Sequence, residues 1–180
     1  EDATNADVQP AYSTNFPEYK KLKTIETPFK VDFVNKDIAP EKPVVFDKLI
    51  DWRNSDNEQI KYYSGTSIYK TSFNLDKRPE NEAIYINLGK LSVMAKVKLN
   101  GKYMGGVWMA PYRLNISDAI KQGENELEIE VVNLWRNQLI KDKQRPKDEK
   151  YTWIVTDKIT PESTVQSSGL LGPVVIETIK

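Results

Sequence analysis

The feature that most restricts this sequence is a period of two. Leu127, Ile129 and Val131 alternate with Glu126, Glu128 and Glu130. Only a strand sends successive side chains to opposite faces, so one face of such a run must meet an apolar layer while the other meets water. The pattern recurs along the chain. Val93, Ala95, Val97 and Leu99 alternate with Met94, Lys96, Lys98 and Asn100, and the first set is expected in the core. Residues 29–33, 44–46, 68–73, 84–88 and 173–179, and the set Tyr112, Leu114 and Ile116, add further strand signals. Turn formers punctuate them: Pro40, Pro43, residues 54–57, Gly65, Gly89 and Gly123. Asn100-Gly101 predicts a type I′ hairpin turn, whose two central residues both need positive φ. Residues 117–123 read as one short helical turn with a Ser cap and a Gly stop. No stretch sustains a long helical period. The chain is therefore expected to be all-β, an antiparallel β-sandwich.

Length and composition narrow the possible functions. The 180 residues suit one domain, residues 28–180, preceded by a polar arm over residues 1–27 with a short edge segment. The polar start lacks a basic stretch followed by an apolar one, so no signal peptide is expected in this sequence. Lys and Arg number 26, as do Asp and Glu, which argues against a nucleic-acid partner. No apolar run approaches the roughly 20 residues of a membrane helix. With no cysteine, disulfides and thiolate sites are excluded. With no histidine, Ser-His-Asp and Cys-His catalysis fall away, as do almost all catalytic zinc arrangements. Acid–base work would fall to Asp, Glu, Lys or Tyr. Residues 141–166 open on a dense mixed-charge run and read as a solvated excursion, unusually long for a loop.

Seven motifs follow one another in order. They are Asp51-Trp52, Ile60-Lys-Tyr-Tyr-Ser-Gly-Thr66, Val97-Lys-Leu-Asn-Gly101, Trp108-Met-Ala-Pro-Tyr-Arg113, Gly123-Glu-Asn-Glu-Leu127, Val132-Asn-Leu-Trp-Arg-Asn-Gln-Leu-Ile-Lys-Asp142 and Ser168-Gly-Leu-Leu-Gly-Pro173. This succession resembles the carboxy-terminal β-sandwich of glycoside hydrolase family 106, the α-L-rhamnosidase-like enzymes. It is more loosely similar to the sugar-binding domain of family 2 glycosidases. The resemblance implies a galactose-binding-like jelly roll and a secreted or periplasmic location. Hydrolysis in that family resides in a separate barrel, which needs roughly 200 residues or more, so the domain is carried over and the activity is not. The expected function is a non-catalytic accessory domain that supports a glycosidase catalytic domain and contacts carbohydrate. The alternative is a stand-alone carbohydrate-binding or protein-interaction module; a third reading is a small hydrolase using carboxylates.

The candidate binding residues are Trp108, Arg113, Asn133, Trp135, Arg136, Asn137 and Asp142. An indole face packs against the C–H face of a pyranose, while guanidinium, amide and carboxylate groups bond vicinal hydroxyls. For Trp108 a plug at the end of the sandwich is equally open. For residues 133–142 an interdomain contact, or amides that satisfy their own backbone, is open as well. Tyr112 is in register with Leu114 and Ile116 and reads as core. Ser64 has no histidine to activate it and reads as turn. Glu126, Glu128 and Glu130 read as a solvated strand face. No cofactor is expected. Asp51, Asn54, Asp56 and Asn57 form Asx-turns on this reading, and structural calcium enters only by fold analogy.

Overall fold

A computed structural model describes residues 17–155 and 158–179. Most of the expected arm, residues 1–16, lies outside the described residues. Ten strands form two antiparallel sheets. The larger has the order β3 (Val44–Phe46), β2 (Phe29–Phe33), β4 (Thr66–Leu75), β10 (Gly123–Val132), β7 (Met94–Leu99) and β8 (Lys102–Val107). The smaller runs β1 (Tyr19–Thr24), β12 (Val175–Ile179), β5 (Ile84–Asn87) and β9 (Arg113–Asn115). A two-stranded ribbon of β6 (Lys90–Leu91) and β11 (Leu170–Gly172) lies outside both. The two sheets make the antiparallel β-sandwich expected from the alternation.

The period of two explains the layering. Leu127, Ile129 and Val131 are buried, as are Ala95, Val97 and Leu99 on the neighbouring strand. They belong to one core with Ile84, Ile86 and Ile176 of the smaller sheet. Each such side chain contributes about 1.5–3 kcal/mol on leaving water. On the outer face the same strands carry charge. Glu128 lies between Lys98 at 3.0 Å and Lys70 at 3.1 Å, and Glu130 takes Lys96 at 2.9 Å. The hairpin forms as predicted, with Asn100 at φ 51° and Gly101 at φ 79°. The Asn100 side chain also accepts from the Glu126 amide and donates to the Ala119 carbonyl, fixing the turn to β10.

Tyr19–Thr24 supplies the short edge segment expected within the arm, pairing with β12 from Tyr19↔Ile179 to Thr24↔Val175. Three elements differ from the reading of the sequence. Residues 117–119 make a turn rather than a capped helical segment. The Ser117 hydroxyl accepts from the Ile84 amide of the next sheet strand, so it is not available as a cap. Two helices carry no amphipathic signature: α1 (Glu58–Lys61) and α2 (Arg136–Lys143). Trp135 makes no side-chain cap for α2; the Ser64 hydroxyl, far away in sequence, accepts from the Gln138 amide instead. The charged excursion is anchored. Buried Asp142 accepts from the Thr152 amide and hydroxyl, from Gln138 and from Arg145.

Candidate binding site at one end of the sandwich

Register gathers the motif residues at one end. Thr66 pairs with Val132, Val132 with Met94, and Ala95 with Val107. The chain that leaves these strand ends carries Val93, Trp108 and Asn133. The opposite end holds a groove of about 720 Å³, whose walls mix Lys20, Lys23, Lys77 and Arg78 with Asp76 and Glu82.

Behind the first end lies a buried aromatic cluster. Trp52 is fully buried, stacked at 6° on Tyr69 with centroids 6.4 Å apart, and Phe33 and Tyr63 meet its ring at 5.1 and 5.7 Å. Gly169 makes this possible. Its φ is +90°, and a Cβ there would lie 2.6 Å from the indole. Asp51 closes the cluster: its carboxylate accepts from the Arg53 and Ser168 amides and pairs with the Arg53 guanidinium at 2.7 Å. Burial pushes the Tyr69 hydroxyl well above the usual phenol range, and Tyr63 shifts the same way for the same reason. These groups hold shape and stay neutral.

The seven candidate residues divide by orientation. Asn133, Asn137 and Asp142 are buried, and their polar atoms are engaged by the chain itself. The Asn133 carbonyl accepts from the Gly65 amide at 2.9 Å and its amide donates to the Tyr63 carbonyl at 2.9 Å. Asn137 makes the same two-point bond with the Gln166 backbone, both at 2.8 Å. A sugar would therefore have to break these bonds to use them. Arg113 lies on the smaller sheet, paired with Glu177 at 2.8 Å and 3.5 Å above the Tyr19 ring. Tyr112 packs against the core in part. Trp108 is 75% exposed and Met109 beside it 73%; Leu134 and Trp135 are 59% and 48% exposed. Arg136 is half-buried and lines a small cleft of about 20 Å³ with Ser92, Val93, Leu134 and Ser167.

Val93, expected in the core with Ala95, instead lies just before β7, part-exposed at φ 78°. Ser92, Val93 and Ser167 meet Arg136 only through the fold. They lie about 40 and 30 residues from Arg136, and no local pattern marks the encounter. The nearest sequence signal to the buried cluster was the Asp51-Trp52 motif itself. Asp51 and Asn57 accept from the Arg53 and Gln59 amides as helix-start caps. Among the described residues no group of three or more His, Cys, Asp or Glu could hold a metal ion. Ser64 is buried and turned to α2, and the Glu ladder faces solvent with its lysines.

An antiparallel sandwich whose buried carboxylates bind its own backbone, and whose exposed tryptophans gather on connecting loops, is a scaffold for contacts. Its class is the galactose-binding-like sandwich domain. Residues 45–167 match the family of glycosyl hydrolase 2 galactose-binding domain-like proteins, and the chain belongs to that family. It is 36% identical to a Formosa agariphila protein named "Putative beta-glucuronidase", covering 79% of this chain and 14% of that protein. The rhamnosidase of Novosphingobium sp. PP1Y superposes with a TM-score of 0.83 and 30% identity over 93% of this chain and 16% of its own. The beta-D-glucuronidase of Dictyoglomus thermophilum shares the fold, with a TM-score of 0.59 and 18% identity over 93% of this chain and 29% of its own. The chain thus spans about a seventh of the curated relative it matches.

Proposed function

We propose that this chain is the accessory, non-catalytic sandwich of a larger glycoside hydrolase, seated against a catalytic domain of the same polypeptide. One observation carries the reading. The sheets close over a single shared core, yet the corresponding stretch is only 14% of the Formosa relative and 16% of the Novosphingobium rhamnosidase. The sandwich has a core of its own, and most of each relative lies outside the matched stretch.

Within that reading the parent enzyme is rhamnosidase-like, of family 106 character. The superposition with the rhamnosidase, at a TM-score of 0.83 against 0.59 for the Dictyoglomus glucuronidase, supports rhamnosides as its substrate class, although the 36% identity with the Formosa protein named "Putative beta-glucuronidase" exceeds the 30% with the rhamnosidase. A secreted or periplasmic location accompanies the same resemblance. Exposed Trp108, Met109, Leu134 and Trp135 supply the contact surface. Trp and Met are favoured at the desolvated centres of interfaces, and an indole serves a sugar face equally.

The test is made on the parent polypeptide with and without residues 19–179. The intact enzyme should hydrolyse an aryl α-L-rhamnoside, and removal of the segment should lower soluble yield and activity without changing which bond is cleaved. A parent that cleaves aryl β-glucuronides and leaves rhamnosides untouched would overturn the rhamnosidase assignment. A parent that contains no catalytic domain would overturn the accessory reading itself.

A further inference from the structure

The sequence holds one Asn-Gly pair, Asn100-Gly101, and this pairing is prone to a reaction that needs no enzyme. The backbone nitrogen of the following residue attacks the asparagine Cγ, and glycine, with no Cβ, hinders that approach least. Here the attacking residue is open to solvent: Gly101 is exposed, and a Cβ at that position would meet nothing within 4 Å. What the fold holds back is the other reactant. The Asn100 amide donates to the Ala119 carbonyl at 2.8 Å and to the Asn125 side-chain oxygen at 2.9 Å. Its own oxygen accepts from the Glu126 amide at 2.9 Å. Both N–H donors of the group are engaged.

The partner is itself held. Asn125 is fully buried; its oxygen also accepts from the Lys121 amide at 3.0 Å, and its amide donates to the Lys121 and Gly123 carbonyls at 2.8 and 2.9 Å. Two amide side chains thus tie the β7–β8 turn to residues 119–126. Positive φ at Asn100 and Gly101 alone satisfies the turn, so the ties are additional to it. Deamidation must give up both donor bonds of Asn100, because the nitrogen that makes them leaves. The product does not restore them. A carboxylate only accepts, so aspartate at position 100 would set its oxygens against the Ala119 carbonyl and the Asn125 oxygen. Isoaspartate would add a methylene to the main chain of a two-residue turn whose flanks, Leu99 and Lys102, are paired.

We propose that Asn100-Gly101 is a latent site of spontaneous deamidation, kept unmodified in the folded chain by the bonds from Asn100 to Ala119, Asn125 and Glu126, and open to reaction when the turn opens. The Gly101 nitrogen loses its proton and bonds to the Asn100 Cγ. The Cγ–Nδ2 bond breaks, and the amide leaves as ammonia with that proton. Water then adds to either carbonyl of the succinimide ring and opens it, giving aspartate or isoaspartate. In sum one asparagine and one water become one carboxylic acid and one ammonia, with no change of oxidation state. Each molecule that reacts keeps a weakened turn, so the change is a lasting record of local opening. A stand-alone module would carry the site equally, and its test is separate from the hydrolysis experiment above.

The chain is incubated at pH 8 in buffer and in concentrated urea, then digested. The peptide carrying Asn100 is followed by mass spectrometry for the gain of one mass unit, and by chromatography for the split into aspartate and isoaspartate. In urea Asn100 should react ahead of Asn54, whose neighbour Ser55 carries a Cβ. In buffer it should react at least about tenfold more slowly than in urea, because the side chain must first leave three hydrogen bonds. Asn125→Ala, which removes one acceptor, should raise the rate in buffer at least about threefold. Asn100→Asp, the product itself, should lower the midpoint of urea unfolding. Equal rates in buffer and in urea overturn the proposal, since the folded turn then gives no protection. So does an unchanged rate in an Asn125→Ala chain that still unfolds cooperatively. Should that variant fail to fold, the wild-type comparison of buffer with urea decides alone.

Discussion

Trp52 and Trp108 are the same side chain with opposite fates, and both sit towards one end of the sandwich. Trp52 is fully buried between Tyr69, Phe33 and Tyr63, while Trp108 is 75% exposed. Hydrophobicity cannot distinguish them. What differs is the chain opposite. Gly169 gives Trp52 a backbone wall with no Cβ, and Asp51 ties the turn before it to Ser168. Trp108 follows the edge strand β8, and among the described residues no strand lies beyond it in the sheet. Burial of an indole here is decided by the facing backbone, and an indole without such a wall is left for a partner.

The largest effect should come from breaking the wall. Gly169→Ala places a Cβ against the Trp52 indole at a residue with φ +90°, and should cost about 3 kcal/mol in urea unfolding. A loss below the effect of an ordinary surface change would mean that the indole can move aside. The polar counterpart is Asn133→Ala, which leaves the Gly65 amide and the Tyr63 carbonyl without their partner, for about 2 kcal/mol. On the exposed side of the comparison, Trp108→Ala should change stability by less than about 0.5 kcal/mol, measured in the same way. A larger loss would place Trp108 with Trp52 as a structural residue.

The smallest effect belongs to the outer sheet face. Hydrogen bonds from Lys98 and then Lys70 hold the Glu128 carboxyl below the usual carboxylate range. A depressed folded-state value means that its contribution is present above the unfolded-state value and is lost as pH falls through the folded one. Solvent screening limits it to about 0.5 kcal/mol. Glu128→Gln should therefore be slightly less stable than the wild type at pH 7, and the gap should close as the solution is acidified below the ordinary carboxylate range. A gap that persists in acid would assign the effect to packing.

The sheets were legible in the sequence because alternation is a local signal. Leu127, Ile129 and Val131 state their face without reference to anything else, and Asn100-Gly101 states its own turn. The site was legible only in part. Residues 133–142 were rich in amides and charge, but whether those groups face a ligand or the chain depends on partners far away in sequence. Asn133 meets residues 63–65 and Asn137 meets Gln166, so both amides close loops. The same distance effect hid α2, whose capping hydroxyl comes from Ser64. Trp52, quoted in the sequence only as part of a motif, proved to be the centre of a core cluster. Its wall, Gly169, is more than a hundred residues downstream.

The central claim is that this sandwich folds as a unit and leaves bond cleavage to another domain. Its most direct test is to purify the chain, confirm one cooperative urea transition, and assay it at high concentration on aryl α-L-rhamnosides and aryl β-glucuronides. The account predicts a folded protein with no turnover above buffer. Turnover that a single Asp or Glu substitution abolishes, in a variant with unchanged unfolding, would contradict it.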